Sequence, residues 1–99
     1  MDRVIDRYLE DCEVRGMAPG SLPRYKSALR IFQGYMGGRG IETADRADLV
    51  GFIRYLREDR KTSQKTIENY FSTLSSFYEF LVFEGSISTN PALDRKSVV

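Results

Sequence analysis

Four stretches of the chain place apolar residues at the i, i+3, i+4 spacing of a helix that buries one face. Val4, Ile5, Tyr8, Leu9 and Cys12 predict a first helix over about residues 2–15, stopped by Gly16. Leu22, Tyr25, Leu29, Phe32 and Met36 predict a second over residues 21–36. Ser21 suits its N-cap, and Pro23 is tolerated in its first turn. The run GGRG, residues 37–40, then breaks the chain. Leu49, Val50, Phe52, Ile53 and Leu56 predict a third helix over 46–58, with Asp45 or Thr43 near its cap. Ile67, Tyr70, Phe71, Leu74, Phe77, Tyr78 and Leu81 predict a fourth over 64–84, capped by Ser63 and ended near Gly85. No stretch alternates in the manner of a strand. The expected fold is all-α: a bundle of four or five helices in two crossed hairpins. Residues 1–88 are expected to form the domain, and 89–99 the start of a linker.

The fourth helix has an unusual outer face. Lys65, Asn69, Ser72 and Ser76 line up on it with no acid among them, whereas a solvated face ordinarily mixes both signs of charge. The net charge is only +1, but its distribution is uneven. Residues 2–14 carry five acids against Arg3 and Arg7, and residues 42–59 carry five acids against Arg46, Arg54 and Arg57. Residues 15–41 carry Arg15, Arg24, Lys26, Arg30 and Arg39 with no acid, and residues 60–78 carry Arg60, Lys61 and Lys65 against Glu68 alone. If the second and fourth helices lie side by side, their outer faces form one basic surface. That is the electrostatic footprint of a nucleic-acid binder. On that reading Arg24, Lys26, Arg30, Lys61 and Lys65 contact phosphates, and Ser27, Asn69, Ser72 and Ser76 lie at the groove. Two other readings of the same pattern stay open: a protein-contact surface, and a face that is merely solvated.

Composition narrows the function classes. With 41% apolar and 29% charged residues, the 99-residue chain reads as one globular domain too small to enclose a large active-site cavity. It has no apolar run of membrane-spanning length and no secretory signal, so no membrane partner is expected. The lone Cys12 falls in the inner stripe of the first helix and cannot form an internal disulfide, which points to the cytoplasm. Histidine is absent. That removes the usual zinc sites and the imidazole-based catalytic pairs, so neither a metal, nor a cofactor, nor a catalytic residue is expected.

Three segments together carry a resemblance: SLPRYKSALRIF, ADLVGFIRYL and TIENYFSTLSSFYEFLVFEGSISTNP. They resemble the N-terminal core-binding, SAM-like domain of tyrosine recombinases, the phage integrases and Xer-like enzymes, over about Val4 to Leu93. The resemblance implies half of a C-shaped clamp on double-stranded DNA, with the second and fourth helices at the major groove. It implies that Thr66 stands at the family's threonine position and both caps the helix and contacts phosphate. It places Ser75 where many members have Arg, removing one backbone contact, and Pro23 where it shifts the start of the second helix. It also implies that the chemistry belongs to a C-terminal catalytic domain of the same parent chain, beyond the Asn90–Pro91 pair, and that other recombinase protomers are partners in a synaptic complex. The chain alone would then be no enzyme. The alternative is a SAM-like domain that oligomerises or binds protein, with Ile31, Tyr35 and Phe80 as a sticky patch.

Overall fold

The structure is a computed structural model that describes residues 3–16, 20 and 22–92. It contains four α-helices: α1 (Arg3–Val14), α2 (Leu22–Met36), α3 (Arg46–Glu58) and α4 (Gln64–Glu84). A 3₁₀ turn, Ile41–Thr43, interrupts the connection between α2 and α3. Among the described residues there is no strand, and no helix is long and apolar enough to cross a membrane. The expected all-α SAM-like bundle is therefore the observed fold.

Local chemistry sets the helix ends. Asp45 caps α3 through a reciprocal box: its carboxylate accepts from the Asp48 N–H, and the Asp48 carboxylate accepts from the Asp45 N–H, each at 3.0 Å. Ser63 caps α4 by accepting from the Thr66 N–H at 3.3 Å. Gly85 ends α4 with φ at 88°, a left-handed conformation glycine reaches without a steric cost. Pro23 sits exposed in the first turn of α2, which begins at Leu22. Ser21, the expected cap of α2, lies outside the described residues.

The four apolar stripes meet in one core. α1 packs on α2, α3 on α4, and α2 lies against α4, which joins the two hairpins. Leu29, Phe32, Leu49, Phe52, Leu56, Leu74, Phe77 and Leu81 are fully buried. Rings knit the layers: Phe32 meets Phe52 edge-on at 4.8 Å, and Tyr8 meets Phe77 at 5.5 Å. Val4, Leu9, Leu22, Tyr25, Val50 and Tyr70, expected inside, are half-buried at the rim. Ala28 and Thr73 are buried although the apolar periodicity did not select them. Thr73 is accommodated because its hydroxyl donates to the Asn69 carbonyl, 3.1 Å away and one turn back.

Two contacts bind the connections to the bundle. The Tyr78 hydroxyl donates to the Ile41 carbonyl at 2.7 Å inside the core, which fixes the 3₁₀ turn against α4. Beyond residue 88 the chain stays on the bundle. The Asn90 side-chain amide donates to the Ser75 carbonyl at 3.1 Å and accepts from the Ala92 N–H at 2.8 Å, and Ala92 is fully buried. The packed body thus continues through Ala92. Residues 93–99 lie outside the described part.

Candidate nucleic-acid interface

α4 presents Lys65, Asn69, Ser72 and Ser76 along one side, at spacings of four, three and four residues. The first three are exposed and Ser76 is half-buried. Eleven steps of 1.5 Å each make this stripe about 16 Å long, with Glu68 at its edge. The next residue on the same side is Glu79, which ends it. The first turn of α4 holds no acid, so its leading N–H groups and Lys65 add positive potential of the same sign.

The structure brings only part of the expected site together. Arg24 of α2 lines a depression with Tyr25 and, across from them, Asn69, Ser72, Thr73 and Ser76 of α4. Tyr8 of α1 closes its floor and donates a hydrogen bond to the Ser76 hydroxyl at 2.9 Å. Among the described residues, no acid lines this depression. Lys26, Ser27 and Arg30 lie apart, around a shallower hollow with Pro23 and Ile31. Lys26 also lines an open hollow with Asp6, Glu10 and Glu13 of α1. Thr66 is half-buried: its hydroxyl accepts from Ser63 at 3.0 Å, within the cap of α4.

Lys61 and Lys65 are exposed at the entrance to α4. Lys61 has φ at 54°, a left-handed conformation that is rare for a residue with a side chain. The reason is the end of α3. The Thr62 N–H reaches back to the Leu56 carbonyl at 2.8 Å, and that closure needs a left-handed residue just before it.

Ion pairs change the charge pattern that the sequence suggested. Arg15 binds Asp11 at 2.8 Å, and Arg39 binds Asp48. Arg15 and Arg39 are therefore held by acids of α1 and α3. On Asp48, partial burial pushes the carboxyl pKa up, but the Asp45 N–H and the Arg39 guanidinium outweigh it and hold it below the usual range. Burial drives the phenol pKa values of Tyr8 and Tyr78 well above the usual tyrosine value, so both stay protonated at neutral pH.

The fold and the paired helices agree with a sequence comparison. The family described as "Phage integrase, N-terminal SAM-like domain" matches residues 5–85. The chain belongs to this integrase family. Curated relatives are similar across almost the whole chain. Tyrosine recombinase XerD of Listeria monocytogenes serotype 4b is 31% identical over 94% of the chain and 33% of its own length. A tyrosine recombinase of Thermosipho africanus is 32% identical over 92% of the chain and 34% of its own length. Tyrosine recombinase XerC of Herpetosiphon aurantiacus is 28% identical over 92% and 31%. The chain spans about a third of the length of these relatives, and it is an N-terminal domain of the tyrosine-recombinase type. No solved structure matches it significantly.

For an integrase N-terminal domain, one exposed feature was not anticipated. Phe83 at the end of α4 is 88% exposed and Val14 at the end of α1 is 81% exposed. Phe83 follows Glu79 by four residues on the polar side of α4, and that position was the sequence signal of its exposure. The three residues expected to form a sticky patch do not. Ile31 and Phe80 are half-buried and line different hollows. Tyr35, 38% exposed, stacks among Phe32, Phe52 and Tyr55.

Proposed function

We propose that this domain grips double-stranded DNA through α2 and α4, as the core-binding half of a clamp in a site-specific recombinase or integrase. The observation that carries the reading is the depression where Arg24 faces Asn69 and Ser72, with no acid in its lining among the described residues. The stripe, about 16 Å long by helix rise, is comparable to the roughly 12 Å width of a B-DNA major groove. Its short side chains let the backbone of α4 approach base edges. Lys61, Lys65 and the leading N–H groups of α4 supply phosphate contacts at one end. Lys26 contributes least among the cations, because it shares its hollow with the acids Asp6, Glu10 and Glu13.

In this proposal strand cleavage belongs to a catalytic domain elsewhere in the parent chain, and other protomers complete the synaptic complex. The recombinase acts on cytoplasmic DNA. The hydrogen bond from Asn90 to the Ser75 carbonyl supports a domain that extends a few residues past 88 before the linker. The chain alone is expected to leave duplex DNA uncut and to form no covalent adduct through any tyrosine, with or without divalent metal. A covalent protein–DNA band on a denaturing gel would contradict this.

The test is a duplex titration by fluorescence anisotropy at several salt concentrations. Half a clamp should bind in the non-specific range, about 10⁻⁴–10⁻⁶ M at physiological salt, and more tightly as salt falls. Lys65→Ala should weaken binding to all sequences alike and make the salt slope shallower by about one unit. An unchanged affinity and slope would remove Lys65 from the interface. The exposed Phe83 and Val14 favour a second reading, a protein-contact domain. Self-association that ignores salt and proceeds without DNA would support that reading instead.

A further inference from the structure

We infer that Arg24 and Asn69 act together as a base-reading pair, with Arg24 selecting guanine and Asn69 selecting adenine, while Lys61 and Lys65 hold phosphates. The inference rests on the DNA-binding reading and assigns Arg24 a role different from the phosphate contact expected from charge alone.

Position separates Arg24 from the other cations of α2. Two residues along a helix turn the side chain by about 200°, so Lys26 points away toward the acids of α1 while Arg24 points to α4. Arg24 and Asn69 are both exposed, and neither side chain has a hydrogen-bond or ion-pair partner among the described residues. On α4 the groups beside Asn69 in this depression are short, and Tyr25 of α2 is half-buried. Ser72 is exposed, and Ser76 is held back by the Tyr8 hydroxyl. A base edge can therefore enter between α2 and α4 without displacing a long side chain. The Asn69 backbone is fixed as well, because its carbonyl accepts from the buried Thr73 hydroxyl.

Chemistry then selects the bases. The planar guanidinium of Arg offers two parallel donors that match O6 and N7 of guanine. The Asn amide donates to N7 and accepts from N6 of adenine. A phosphate needs neither pattern, and the mobile Lys61 and Lys65 ammonium groups at the end of the stripe serve it as point charges.

The test is selection of duplexes from a random pool by the chain and by four variants, each checked by circular dichroism, followed by titration of the selected duplex at several salt concentrations. The wild-type chain should enrich one guanine and one adenine at fixed spacing, each favoured by about 5- to 150-fold over other bases. Arg24→Ala should lose the guanine and keep the adenine, and Arg24→Lys should weaken the guanine preference while it retains the salt slope. Asn69→Ala should lose the adenine only. Lys65→Ala should keep both preferences while binding more weakly. The assignment is overturned if Arg24→Ala preserves the guanine preference, or if it weakens all sequences equally. A wild-type chain that binds no duplex even at low salt overturns the DNA-binding reading and this inference with it.

Discussion

Leu74 is completely buried in α4, in the core that all four helices share. Leu74→Ala leaves a cavity there and is expected to cost about 2–5 kcal/mol in denaturant unfolding. A loss below about 1 kcal/mol would mean that the core collapses around the gap. Two backbone positions test a different term. Gly85 is left-handed with open space where a Cβ would stand, so Gly85→Ala should cost about 1 kcal/mol from conformation alone. Lys61 shares that region, so Lys61→Gly should relieve strain and stabilise the fold while it weakens DNA binding. Stability and binding moving together on this substitution would deny Lys61 a phosphate role. Apolar period marked Leu74 in the sequence, and glycine chemistry marked Gly85. The left-handed Lys61 was hidden, because only the return of the Thr62 N–H to Leu56 demands it.

Between elements, Arg7 of α1 holds Glu84 at the end of α4 with two hydrogen bonds, at 2.7 and 3.2 Å. The Arg7 guanidinium, helped by the Ser86 hydroxyl, holds the Glu84 carboxyl below its ordinary pKa of 4.5. Asp48 is likewise held below 3.8. A carboxyl depressed by folding contributes stability that is present above its unfolded value and lost as pH falls through the lower folded one. The folded state should therefore weaken from about pH 4.5 downward, with a small amplitude because both pairs are exposed to solvent and screened by salt. Thermal melts against pH check this. Arg7→Ala should flatten the acid limb, and an unchanged limb would show that the pair contributes nothing. At the alkaline end the signs reverse. Tyr8 and Tyr78 have raised folded pKa values, so their stabilisation is complete below about pH 10 and declines above it.

For the whole molecule, the sequence carried the helices well, because each has one unbroken apolar stripe and side-chain caps at α3 and α4. It carried the site less completely. Charge counting grouped Arg24, Lys26 and Arg30 on one helix. Folding separates Arg24 from the other two, and it sets Lys26 beside carboxylates of α1 that are thirteen or more residues away in the chain. The pairing of Arg39 with Asp48, the Ile41–Tyr78 bond and the docking of Asn90 are likewise tertiary facts with no local signature. The central claim is that α2 and α4 together face DNA. Amide chemical-shift mapping of the labelled chain, titrated with a short duplex at low salt, tests it most directly. The account predicts perturbations at Arg24 and along Lys61 to Ser76, fading beyond Glu79 and reversed by added salt. Perturbations confined to α1 and α3, or centred on Phe83, would contradict it.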